Sequence, residues 1–272
     1  MEVIGLRLLL IFLLTLSLVA CQNNAKEEPE PPIDQTIHIE ESMPDMKEKE
    51  LTEKEIVKPK KEASFTVDQS TWTLKKKSSE DQGKYVLLTI DDAPDQYALE
   101  MANVLHELNV PAIFFVNGHF LDEEEEKEIL RKIVDLGFVV GNHTVGHENL
   151  RKLPENQQVN QIVTLNDTIV ELTGEKPQFF RAPFGVNTET SINTAQSEGM
   201  ITMNWTYGYD WEKEYMTKER IAEIMVNTPL LRDGAILLMH DRKWSYEALT
   251  DIVNGLREKG YEFADPRQIT NE

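Results

Sequence analysis

Two carboxylates stand side by side in Thr89-Ile90-Asp91-Asp92-Ala93-Pro94, at the end of an apolar run. Adjacent carboxylates repel each other, and desolvation raises their pKa values unless a cation neutralises them. A metal ion answers that problem. The competing explanation is a helix start, because an aspartate such as Asp92 or Asp95 beside Pro94 is a common N-terminal cap. A second cluster, Gly141-Asn142-His143-Thr144-Val145-Gly146-His147, offers two imidazoles four residues apart. They converge on one side if the segment makes a helical turn, although the same spacing also arises by chance on helix surfaces. Glycines flank and interrupt the motif, which makes it more loop than helix and leaves little for a packing role.

Taken together, Asp92, His143 and His147 form an Asp-His-His set with room for water. That matches an open catalytic zinc site rather than a closed structural one, with cobalt or nickel as other divalent candidates. Such a metal activates water and polarises a carbonyl, leaving Asp91 free to act as a base. Arg181, in Phe180-Arg181-Ala182-Pro183-Phe184-Gly185, needs a carboxylate partner, and either Asp210 or Asp91 can supply it. The run Trp205-Thr206-Tyr207-Gly208-Tyr209-Asp210-Trp211 carries aromatic faces on which a pyranose ring can stack, making Tyr209 and Trp211 candidate substrate contacts. Alternatively, Arg181 is a structural ion pair and the aromatics are a core edge. His240, after Ala235 to Met239, is either a satisfied core residue or a general acid, and the company of the other strand ends favours the acid. His106 and His119 are assigned structural or solvated roles, with His119 the nearer of the two to a cleft, and His38, a lone histidine among acidic residues of a polar segment, is not expected to bind a metal.

Elements that can hold these groups together are legible in the hydrophobic pattern. Apolar strand candidates fall at Tyr85 to Ile90, Ala112 to Val116, Phe138 to Val140, Gln178 to Phe180, Ile201 to Trp205, Ala235 to Met239 and Tyr261 to Phe263. Helical periodicity lies between them: Leu99, Val104 and Leu108; Ile129, Ile133 and Leu136; Val159, Ile162, Leu165, Ile169 and Leu172 before Gly174. Strands alternating with helices predict a parallel sheet covered by helices, and about seven units favour a distorted (β/α) barrel, closed or nearly so. No glycine-rich phosphate loop follows the first strand, which counts against a dinucleotide-binding sheet. In a barrel the chemistry belongs at the carboxyl ends of the strands, where these polar residues fall.

In their order, five blocks resemble the polysaccharide deacetylase family with the NodB homology domain, carbohydrate esterase family 4, from about Lys84 to the C-terminus. They are Thr89-Ile90-Asp91-Asp92-Ala93, His143-Thr144-Val145-Gly146-His147, Arg181-Ala182-Pro183-Phe184, Asp210-Trp211 and Leu238-Met239-His240. The resemblance implies a metal-dependent hydrolase that removes acetyl groups from a sugar. It assigns Asp92, His143 and His147 to the metal, Asp91 as base, Arg181 to orient Asp91, Asp210 to hold Arg181, and His240 as acid. Leu238 and Trp211 would line the acetyl pocket, Pro183 and Phe184 would meet the substrate, and the Phe184 N–H would stabilise an oxyanion. Ala93 departs from the family's glycine, and Tyr207-Gly208-Tyr209 lacks an aspartate that the fourth block often carries.

The remaining chain places that chemistry. Leu18-Val19-Ala20-Cys21, after the apolar run Leu8 to Leu14, resembles a bacterial lipobox, so residues 1–20 are expected to be a lipoprotein signal peptide and Cys21 the acylated N-terminus. A plain cleaved signal peptide is the alternative. Cys21 is the only cysteine, which excludes an intrachain disulfide. Residues 21–62 are rich in Glu, Lys and Pro and read as a disordered acidic tether, 63–83 as a short strand or hairpin, and 84–272 as the enzymatic domain. A net charge of −20 argues against nucleic-acid partners. The expected protein is a monomer at the extracellular face of the cell membrane, acting on an N-acetylated cell-envelope polysaccharide, above all peptidoglycan. Chitin oligomers, poly-N-acetylglucosamine and acetyl xylan are alternative substrates, and a catalytically weak wall-binding lipoprotein is the alternative function.

Overall fold

The computed structural model describes residues 64–271. The expected signal peptide, the acylated Cys21 with its tether, and His38 lie outside them. An antiparallel hairpin comes first, β1 (Phe65–Asp68) and β2 (Thr73–Lys76). Seven parallel strands follow: β3 (Lys84–Ala93), β4 (Ala112–Val116), β5 (Val139–Asn142), β6 (Phe179–Phe180), β7 (Ile201–Thr202), β8 (Ala235–His240) and β9 (Tyr261–Phe263). Their helices are α1 (Ala98–Glu107), α2 (Glu124–Asp135), α3 (Glu155–Thr173), α4 (Glu189–Ser197), α5 (Lys218–Asn227) and α6 (Lys243–Glu258).

The strands form one sheet in the order β1-β2-β8-β3-β4-β5-β6-β7, with β9 also paired to β3. Past β7 the chain leaves β6 and reaches β8, where Tyr207 bridges Leu237. The sheet therefore curls back towards its own start as a distorted, nearly closed barrel, the expected architecture. That crossing also explains why β7 is only two residues long, although the apolar run predicts a strand to Trp205.

Alternation along the strands divides the core in two. Val86, Leu88 and Ile90 of β3, Phe114 and Val116 of β4, and Leu237 and Met239 of β8 pack outward beneath the helices. Leu87, Ile113, Phe115, Val139, Phe179, Ile201 and Ile236 point inward and fill the barrel together with Phe65, Leu74 and Ile269. The helices complete the outer layer with apolar faces at helical spacing. In α1 that face is Ala98, Met101, Ala102 and Leu105, not the predicted Leu99, Val104 and Leu108, which are half-buried along its flanks.

Candidate active site and metal centre

The period of two predicts which polar side chains meet. Thr89 and Asp91 continue the inward row of β3, His143 that of β5, Arg181 that of β6, Trp205 that of β7, and Leu238 and His240 that of β8. All these rows open at the carboxyl ends of the strands. Asp91 and His240 are register partners on adjacent parallel strands. Asp92 is out of phase with its row. The β3–β4 register shifts between Ile90 and Ala93, and Asp92 adopts φ 60°, bringing its carboxylate to the same mouth. Thr144, His147 and Phe184 also have left-handed φ values of 71°, 51° and 60°. Four non-glycine residues in this costly region, around one cleft, mark a site that the surrounding fold holds against local preference.

The histidine loop reaches convergence without the helical turn its spacing suggests. His143 N–H donates to Val116 O, and Asn142 Oδ1 accepts from Thr144 N–H at 2.9 Å. Asn117 Nδ2 donates to His143 O at 2.6 Å. The two imidazole rings lie 5.0 Å apart. His143 Nδ1 is 2.7 Å from Arg181 O, a carbonyl that can only accept, so Nδ1 carries the proton and Nε2 presents its lone pair. Burial pushes the His143 pKa down to about 3, against the pull of Asp92, which keeps the ring neutral.

Asp92 Oδ1 is 3.5 Å from His147 Nε2 and 3.9 Å from His143 Nε2. One donor atom from each of the three residues lies within 4.8 Å of the others. Tetrahedral ligands at about 2.0–2.1 Å from zinc are separated by roughly 3.4 Å, so the two separations from Asp92 stand near what such an ion needs.

Arg181 has none of its surface exposed. It donates to Asp91 Oδ1 at 2.6 Å, Thr89 Oγ1 at 2.8 Å, Met203 O at 3.0 Å and Asn204 O at 3.1 Å. Its guanidinium also lies 4.2 Å from the Phe115 ring centroid. Burial raises the Asp91 pKa, with the charge of Arg181 opposing it. Of the two partners open to Arg181, the fold supplies Asp91. Asp210 does not hold Arg181. It is fully buried and binds His240 instead, with Oδ1 2.7 Å from Nδ1 and Oδ2 accepting the His240 main-chain N–H at 2.6 Å. Ser245 Oγ and the indole of Trp244 complete its setting by donating to Oδ2 and to the main-chain oxygen. Burial works against the His240 imidazolium, but Asp210, aided by Asp91 and Asp92, raises its pKa.

Asp91, Asp92, His143, His147, Asp210 and His240 line a cleft of about 520 Å³ with Phe184, Trp205, Trp211, Met216, Leu238, Arg242 and Trp244. Phe184 and Trp211 are 61% and 44% exposed at its rim, apolar surface of the kind that meets a ligand. Two predicted contacts fall elsewhere. Pro183 is buried and does not line the cleft. Tyr209 turns to the helix layer, its hydroxyl 2.6 Å from Thr228 Oγ1. His119 is also outside the cleft, against Phe120. The sequence carries no signal for Met216, Arg242 and Trp244, which nothing separates there from ordinary helix-start residues. Neither Asp92 nor Asp95 caps α1. Asp241, from the end of β8, accepts the main-chain N–H groups of Asp95, Gln96, Tyr97 and Ala98.

Residues 78–203 match the family model described as polysaccharide deacetylase. Two Bacillus cereus proteins, each described as a peptidoglycan-N-acetylglucosamine deacetylase, are both 31% identical to this chain. One match covers 65% of this chain and 65% of the relative, the other 66% and 68%. The chain thus spans about two thirds of their length. The solved Bc1960 peptidoglycan N-acetylglucosamine deacetylase superposes with a TM-score of 0.63 at 28% identity, covering 70% of this chain and 89% of that one. The family match ends before Asp210 and His240, yet the fold delivers both to the same cleft. This chain belongs to the polysaccharide deacetylase family.

Proposed function

We propose that the protein is a metal-dependent deacetylase of N-acetylated sugars in the cell wall, with peptidoglycan as its principal substrate. The observation that carries this reading is the placement of an Asp-His-His donor set between a buried carboxylate, Asp91, and a carboxylate-backed imidazole, His240. Asp92, His143 and His147 would hold the cation, which supplies Lewis acidity towards a carbonyl oxygen and acidifies water.

Asp91, oriented by Arg181, takes the proton of the water that adds to the acetamide carbon. The Phe184 N–H stabilises the developing oxyanion. His240, with Nδ1 engaged by Asp210, delivers a proton from Nε2 to the departing nitrogen as the C–N bond breaks. Without that proton the leaving group would be an amide anion, so the acid is required. Leu238 and Trp211 enclose the acetyl methyl group, and Trp211 and Phe184 offer faces to the sugar rings.

The sequence of the leader supports attachment through Cys21 at the outer face of the membrane, beside that polymer. Acetate release from peptidoglycan and from N-acetylglucosamine oligomers, before and after chelation and zinc re-addition, tests the activity. Chelator-sensitive, zinc-restored release is expected. A protein that binds metal but releases acetate from no N-acetylated glycan would overturn the reading.

A further inference from the structure

One cation in the cleft takes no part in that chemistry. Arg242 follows His240 by two residues, and its side chain is 34% exposed. Its Nη2 donates to Asp92 Oδ2 at 3.1 Å, and its Nη1 donates to Asp95 Oδ2 at 3.0 Å and to Asp241 O at 2.8 Å. The two oxygens of Asp92 are thereby divided. Oδ2 belongs to Arg242, while Oδ1 faces the Nε2 atoms of His147 and His143.

This division matters because the terminal torsion of an aspartate is broad and nearly two-fold. With no partner on Oδ2, the carboxylate can turn and offer either oxygen, or both, to a cation. Asp92 is also the donor that departs from its strand row. Its neighbours tie the same stretch down by another route, since the buried Asp241 takes four successive main-chain N–H groups from Asp95 to Ala98. Asp241 therefore fixes the backbone just after β3, and Arg242 fixes the Asp92 side chain at the end of that strand.

We infer that Arg242 is a positioning residue for the metal centre, holding Asp92 so that Oδ1 is its ligand atom. The inference rests on the metal-site reading above. A role in gripping a carboxylate of the substrate fits less well, because two aspartates and a carbonyl already occupy the guanidinium. The two effects of Arg242 on a bound cation have opposite signs. Its positive charge repels a divalent ion, whereas its grip on Asp92 preorganises the site.

That opposition makes the test diagnostic. The full chain, stripped of metal, is titrated with zinc against a chromophoric chelator, and thermal unfolding of the metal-free protein checks the fold. Removal of charge alone tightens zinc binding in Arg242→Gln; loss of positioning weakens it, and we expect a Kd raised about 10- to 100-fold, as for outer partners of metal ligands. Arg242→Lys keeps the charge but not the two-pronged geometry, so it also weakens zinc binding and carries the test if the glutamine variant does not fold. Zinc binding that is unchanged or tighter in a folded variant overturns the role of Arg242. Failure of the unsubstituted protein to bind zinc overturns the metal-site reading itself.

Discussion

The Asp210 carboxylate holds His240 twice, through the ring at 2.7 Å and through the main-chain N–H at 2.6 Å. A carboxylate can only accept, so the ring proton on Nδ1 is fixed and the remaining nitrogen, Nε2, is left to exchange a proton with the cleft. Burial of the ring works the other way, but the same contact, together with the charges of Asp91 and Asp92, raises its pKa.

The pH dependence of Asp210→Asn follows from that contact. An acid must start protonated, so activity falls as pH rises through the elevated pKa of His240. Replacing the anion lowers that pKa, although the charges of Asp91 and Asp92 remain. The alkaline limb of kcat/KM is expected to move to lower pH, and kcat to fall by about 100-fold or more. The stability contribution runs the same way. It is complete below the ordinary imidazole range and lost as pH rises through the folded-state value. A pH profile of acetate release that superposes on that of the unsubstituted enzyme would remove Asp210 from this role.

How much of this was legible beforehand follows from the period of the signal. Strand rows are set by alternation over a few residues, so the seven parallel strands and the inward placement of Asp91, Arg181 and His240 could be read from the chain. The partner of Asp210 could not, because it depends on the crossing after β7. In that crossing the alternation breaks, sending Tyr207 and Tyr209 outward to α5 and Asp210 inward to β8. Arg242 and Asp241 were hidden for another reason. Asp-Arg-Lys at a helix start reads as solvated surface, and their partners lie about 145 to 150 positions away in the chain.

Asp91→Asn separates the base from the metal site. The amide cannot take a proton, so acetate release is expected to drop at least about 100-fold. Asp92, His143 and His147 are untouched, so zinc stoichiometry by elemental analysis should remain that of the unsubstituted protein. Stability should also suffer, because Arg181 is buried with its charge no longer compensated, a loss of about 3 kcal/mol when such a pair is broken. Full turnover by the asparagine variant would exclude Asp91 as the base.

His143→Ala combined with His147→Ala leaves one donor of the three. Metal uptake and activity are expected to vanish together while a cooperative unfolding transition persists. The transition should come at lower temperature, since the buried Arg181 carbonyl loses the imidazole donor, at a cost of about 1–3 kcal/mol. Stoichiometric zinc in the folded double variant would refute the ligand assignment.

Gly208→Ala tests whether barrel closure positions the acid. A Cβ built on Gly208 would stand 2.5 Å from Leu238 O and 2.8 Å from the Trp211 ring. Neither clash is relieved cheaply, because the first partner is the backbone of β8 and the second is a ring that also touches Trp205 and His240. The segment must therefore move off β8 and strain the hydrogen bond from Leu238 N–H to Tyr207 O. Overpacking of this kind costs about 1–3 kcal/mol. Asp210 lies two residues further on, so the same displacement loosens its hold on His240 while the metal donors, at the end of β3 and in the loop after β5, stay in place. The expected result is a lower melting temperature and a reduced kcat with unchanged zinc affinity. A variant equal to the unsubstituted protein in both melting temperature and kcat would mean that closure between Tyr207 and Leu237 does not position the acid.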